Sequence, residues 1–100
     1  MQDNLPNEFF ISVDVETAGP VPSQYSLLAI GACTVTKPRE TFYIELKPVN
    51  MNYQPEALAS CNLSLEKLAV EGVEPAEALH QFETWVEQIT PQGGKPIFVG

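Results

Sequence analysis

The spacing of apolar residues changes along the chain, and this order of periods restricts the fold more than any other feature. From Phe9 to Lys47 the apolar residues alternate or run on without a break, as strands require. From Pro55 to Ile89 they recur at three- and four-residue intervals, as helices require. From Pro96 to Gly100 a short apolar run returns. The pattern reads β-β-β-α-α-α-β.

Met1 to Asn7 reads as a loose lead-in. In the first strand, Phe9 to Glu16, one face carries Phe9, Ile11, Val13 and Val15, and the other carries Phe10, Ser12, Asp14 and Glu16. Ala18-Gly19-Pro20-Val21-Pro22-Ser23 is rich in breakers and predicts a loop. Ser26 to Val35 is almost wholly apolar, which suits a strand covered on both faces. Lys37-Pro38-Arg39-Glu40 is a turn. Thr41 to Lys47 alternates, with Phe42, Ile44 and Leu46 inward and Tyr43, Glu45 and Lys47 outward. The polar outer face and Pro48 mark an edge strand.

Pro55 to Ala59 suits a short helix. Ser64 is placed to cap a helix over Leu65 to Glu71, with Gly72 as its stop. Pro75 fits the first position of a longer helix, where its missing N–H costs nothing. Leu79, Phe82, Val86 and Ile89 form its apolar stripe, with Trp85 beside it. Three strands with a short second connection form an antiparallel meander. A strand returning after helices pairs in parallel through a right-handed crossover. It is expected beside Phe9–Glu16, which becomes an interior strand. The fold class is therefore α/β, with a mixed sheet.

The length of 100 residues bounds the chain at one domain or part of one. Because it stops at a fresh apolar strand, we expect residues 1–100 to be part of a single, truncated domain. No apolar run approaches the roughly 20 residues that cross a bilayer. The start, Met1-Gln2-Asp3-Asn4, lacks the features of a secretion signal. A soluble, cytoplasmic protein without membrane association is expected. Cys33 and Cys61 are outside any Cys-x-x-Cys pattern and are expected to be buried, reduced thiols. The formal charge of −8, with five Lys and Arg, argues against tight non-specific duplex binding. It does not exclude a metal-dependent nuclease, because bound divalent ions invert the local charge.

Asp14 and Glu16 are the residues with the clearest chemistry. Two apart on a strand, they leave the same face with Cα atoms roughly 6.6 Å apart. Two readings are open from spacing alone. The carboxylates either sit at a solvated strand end, or ligate hard cations such as Mg²⁺ or Mn²⁺, which favour carboxylate oxygens. Other features have structural readings. His80 is a surface residue off the helical stripe, Phe82 and Trp85 are core, and Gly93-Gly94-Lys95 is a turn. Glu66, Glu71, Glu74, Glu77, Glu83 and Glu87 form solvated helical faces.

The segment Phe10-Ile11-Ser12-Val13-Asp14-Val15-Glu16-Thr17-Ala18-Gly19, followed by Ser26-Leu27-Leu28-Ala29-Ile30-Gly31-Ala32, resembles the first motif of the DEDD 3′–5′ exonucleases. That superfamily includes proofreading exonuclease subunits, ribonuclease T and oligoribonucleases. Pro55-Glu56-Ala57 through Ser64, and Pro75 to Val86, are similar to its helical middle. The resemblance implies a ribonuclease H-like fold and a two-metal hydrolase acting on 3′ ends of single-stranded DNA or RNA. It makes Asp14 and Glu16 metal ligands for Mg²⁺ or Mn²⁺, with two ions in the intact enzyme. It sets Thr17 against the terminal nucleotide. Where relatives often carry His-Gly-Ile, this chain has Cys61-Asn62-Leu63, so Leu63 is left as the apolar contact to substrate. The superfamily's remaining two carboxylates and its general-base His follow the strand that begins here at Pro96. The 100-residue chain is therefore expected to be inactive or nearly so, and its open edge to allow self-association. The rival expectation is a non-catalytic binding or interaction domain on the same scaffold.

Overall fold

The computed structural model describes residues 7–100, so all but the last residue of the expected lead-in Met1–Asn7 lies outside it. The elements follow the expected order: β1 (Glu8–Thr17), β2 (Leu27–Thr34), β3 (Thr41–Glu45), α1 (Pro55–Cys61), α2 (Leu65–Glu71), α3 (Pro75–Ile89) and β4 (Lys95–Val99). The four strands form one sheet in the order β3-β2-β1-β4. The β1–β2 and β2–β3 pairs are antiparallel, and β4 lies parallel to β1. The meander, the parallel return strand and the interior place of β1 are as the periodicity predicts. No helix among the described residues is long and apolar enough to cross a membrane.

The helices start and stop where their end residues allow. The Ser64 hydroxyl accepts from the Lys67 N–H at 3.3 Å and so satisfies one orphan donor of α2. Pro55 and Pro75 open α1 and α3. Gly72 closes α2, donating its N–H to Leu68 O at 2.8 Å. There the chain passes against the end of β3. Val73 N–H donates to Glu45 O at 2.9 Å, Lys47 N–H donates to Val73 O at 2.8 Å, and Lys47 Nζ lies 3.2 Å from Glu74. A Cβ on Gly72 would come within 2.5 Å of Lys47 N, so only glycine permits this approach.

The core lies on one face of the sheet. Ile11, Ala32 and Val86 are buried together, with Phe9, Val13, Phe42, Phe82, Trp85 and Ile89 packed around them. Ile30, Ile44, Leu46 and Ala78 form a second cluster, and Ala18, Leu28, Leu65 and Leu68 a third. Fully burying a side chain such as Ile11, Leu28 or Leu46 contributes about 1.5–3 kcal/mol. The Phe42 and Phe82 rings, 5.5 Å apart, tie β3 to α3.

Three expectations need correction. Leu79 is 51% exposed, and Ala78 takes the buried position on α3. A single-residue offset turns a helical side chain by about 100°, and the small Ala78 lets the helix approach Ile30, Ile44 and Leu46 closely. Coverage of β2 is uneven: Leu28, Ile30, Ala32 and Thr34 are buried on one face, whereas on the other Ala29 is buried and Gly31 and Cys33 are only partly covered. Cys33 and Cys61 are both half-buried rather than buried. Cys33 faces away from the helices, and its sulfur accepts a weak contact from Arg39 Nη1 at 3.9 Å.

Candidate metal and substrate site

The carboxylates stand where an interior strand meets an uncovered face. On β1, Ile11 and Val13 turn toward α3, so Ser12, Asp14 and Glu16 turn away from it. Asp14 is exposed and Glu16 half-buried. The one ion pair among the described residues joins Lys47 and Glu74, so neither Asp14 nor Glu16 has a basic partner there. Two hard oxygen donors on one face, free of competing lysine or arginine, fit part of a divalent-cation ligand set. No group of three or more His, Cys, Asp or Glu side chains is gathered to hold a metal ion among the described residues. His80 is exposed on α3, as expected of a surface residue.

Thr17 follows directly, after a register irregularity between Glu16 and Thr17 that ends regular pairing with β2. Its hydroxyl donates to Gly19 O at 3.0 Å, which holds the backbone in the turn leaving the strand. Ala18 is fully buried, and its carbonyl accepts from Gln54 N–H at 2.8 Å, pinning the turn to the entry of α1. Leu63 packs, half-buried, against the cluster of Ala18, Leu28, Leu65 and Leu68. The structure thus brings Asp14, Glu16 and Thr17 together on one strand end and packs Leu63 against the cluster that includes Ala18. Between Cys61 and Leu63, Asn62 adopts left-handed φ/ψ of 57° and 38° and ends α1. Asn is the residue that best replaces glycine in that conformation.

Strand register adds two residues that the sequence did not mark as functional. Asp14 faces Gly31, and Gly31 faces Tyr43; Glu16 faces Ala29, and Ala29 faces Glu45. Tyr43 Oη donates to Glu45 Oε2 at 2.7 Å. That bond, then burial and the negative charges of Glu45, Glu16 and Cys61, push the Tyr43 phenol up to about 12. Alternation along β3 had already put Tyr43 and Glu45 outward. Their alignment with Asp14 and Glu16 depends on how the strands pair.

No family model matches the chain. It is 44% identical over 93 residues to the 3′–5′ DNA exonuclease Cap18 of Escherichia coli, an alignment covering 93% of this chain and 50% of that protein. The chain therefore spans about half the length of the curated relative it matches. A product-bound structure of exonuclease I superposes with a TM-score of 0.72 at 16% identity, covering 92% of this chain and 21% of that one. Exonuclease I in complex with the inhibitor BCBP gives a TM-score of 0.67 at 18% identity, covering 92% and 20%. At these identities the superpositions speak for the fold alone. The chain is thus similar in sequence to a 3′–5′ DNA exonuclease and in fold to exonuclease I.

Proposed function

We propose that the whole protein is a 3′–5′ exonuclease that hydrolyses the terminal phosphodiester of single-stranded nucleic acid, with Asp14 and Glu16 supplying two of its metal ligands. The observation that carries this reading is the pair of same-face carboxylates on an interior strand, with no basic partner among the described residues. Two carboxylate oxygen donors side by side on an open face, uncompensated by lysine or arginine, suit a hard divalent cation. The relative Cap18 is a DNA exonuclease by name, which favours DNA as substrate. Mg²⁺ or Mn²⁺ fits the donor chemistry.

A divalent pair, when bound, supplies an activated water and neutralises charge on the leaving oxygen. The chain's own residues do the rest from one strand end. Asp14 and Glu16 would hold the cations through their carboxylate oxygens. Thr17 lies beside Glu16, against the terminal nucleotide, and Leu63 offers it an apolar contact. A second reading, a non-catalytic interaction domain, is favoured by one observation. No third ligand joins Asp14 and Glu16 among the described residues.

Mn²⁺ titration followed by NMR tests the metal reading. Paramagnetic broadening is expected to be centred on Asp14 and Glu16, and to disappear in the Asp14→Ala/Glu16→Ala double variant. Equal broadening in both proteins would sink it.

A further inference from the structure

Asp14, Gly31 and Tyr43 form a row across the face of the sheet turned away from α3. Two interstrand steps separate the Asp14 and Tyr43 backbones, about 10 Å. Gly31 puts no side chain between them, and Tyr43 Cδ1 lies 3.7 Å from where a Gly31 Cβ would stand, so the ring leans over that gap. The adjacent row is closed at its centre, where Ala29 is buried, so the opening lies over Gly31. Tyr43 is 62% exposed, yet its hydroxyl is held at 2.7 Å by Glu45. A single exposed aromatic needs no explanation. An exposed ring fixed by its hydroxyl, leaning over a position without a side chain beside a candidate metal ligand, is a more specific arrangement.

We infer that Tyr43 is a stacking platform for a nucleobase of the single strand whose scissile phosphate lies at Asp14 and Glu16. The inference rests on the exonuclease reading above and adds a substrate subsite to it. The chain's charge supports the assignment. With a net charge of −8 and five Lys and Arg, it has little to offer phosphates directly. Base–aromatic stacking needs no positive charge and accepts every base. Glu45, at the outer end of the adjacent row and bonded to Tyr43 Oη, repels phosphate from that edge, so the strand presents its base to Tyr43 and its backbone toward the cations. Tyr43 positions substrate and takes no part in bond breaking.

The test is an NMR titration of the chain with a short single-stranded thymidine oligonucleotide, with and without Mg²⁺. It compares wild type, Tyr43→Ala, Tyr43→Phe and Asp14→Ala. The thymine resonances are expected to shift upfield against the Tyr43 ring. Tyr43→Ala is expected to weaken binding by roughly 5- to 150-fold, the range for one base–aromatic stack, and Tyr43→Phe to stay within about twofold. Asp14→Ala is expected to remove the gain from Mg²⁺. Mg²⁺-dependent binding that ignores Tyr43→Ala overturns the platform and leaves the metal reading standing. Binding that depends on Tyr43 but not on Mg²⁺ or Asp14 overturns the metal reading and the platform's place beside it. No binding by wild type at millimolar oligonucleotide overturns the platform.

Discussion

Gly31 stands directly opposite Asp14 across the β1–β2 pair, and a Cβ built on it would lie 3.8 Å from the Asp14 carbonyl oxygen. That is ordinary van der Waals contact, and Gly31 has no positive φ to forbid a side chain. Gly31→Ala is therefore expected to stabilise the fold by about 0.4–1 kcal/mol, by restricting the unfolded chain. Gly72 is the opposite case. Its Cβ would meet Lys47 N at 2.5 Å and Leu46 C at 2.6 Å, both backbone. Gly72→Ala is expected to cost about 1–3 kcal/mol or more, because the clamp between β3 and the start of α3 must open. Urea melts of the two variants should move in opposite directions; a stable Gly72→Ala protein contradicts the close approach.

The Tyr43 phenol is expected to ionise near 12 rather than 10, and Glu45→Gln to bring it back toward 10. The sign follows from linkage. The folded state holds this proton more tightly, so the stabilisation is complete below pH 10 and is lost as the pH rises toward about 12. An ultraviolet difference titration reads it directly. Ionisation of Tyr43 at the ordinary tyrosine value would mean that the Glu45 hydrogen bond does not persist in solution.

The 100-residue chain alone is expected to show little or no nuclease activity. On the proposed reading Asp14 and Glu16 supply only two of the metal ligands, and removing parts of a unit that acts together is grossly non-additive. Incubation with 3′-labelled single-stranded DNA and Mg²⁺ is expected to release no more nucleotide from wild type than from Asp14→Ala. Efficient release that Asp14→Ala abolishes would show that the described residues suffice.

The outer edge of β4 has no strand beside it among the described residues, and Phe10, Phe98 and Val99 are 38%, 52% and 40% exposed. Unpaired strand edges with apolar side chains invite pairing with another chain. Concentration-dependent self-association of the 100-residue chain is therefore expected. Sedimentation velocity across a concentration series checks it, and a clean monomer at the highest concentration would exclude it.

Much of this protein could be read from local patterns. Alternation along Phe9–Glu16 put Asp14 and Glu16 on one face before any partner strand was known, because side chains in a strand alternate by geometry. Ser64, Gly72 and Pro75 marked helix ends because capping chemistry is local. The apolar run Pro96–Val99 and the crossover rule sufficed to put β4 beside β1. Where neighbours decide, the local pattern misled. Leu79 is the larger residue, yet Ala78 is buried, because packing against Ile30 and Leu46 selects a small side chain. That one face of β2 is only partly covered at Gly31 and Cys33 was likewise invisible in its apolar composition.

The sequence by itself determined the order of elements, the pair of carboxylates and the loop that begins at Ala18, since each depends on residues adjacent along the chain. Only the tertiary structure decided that Tyr43 shares a row with Asp14 and Glu45 with Glu16. Register decides this: a slip of one residue between strands would turn every side chain of β3 to the opposite face. It is fixed by the packing of Ile30, Ile44 and Phe42 against α3, contacts between residues far apart in the chain.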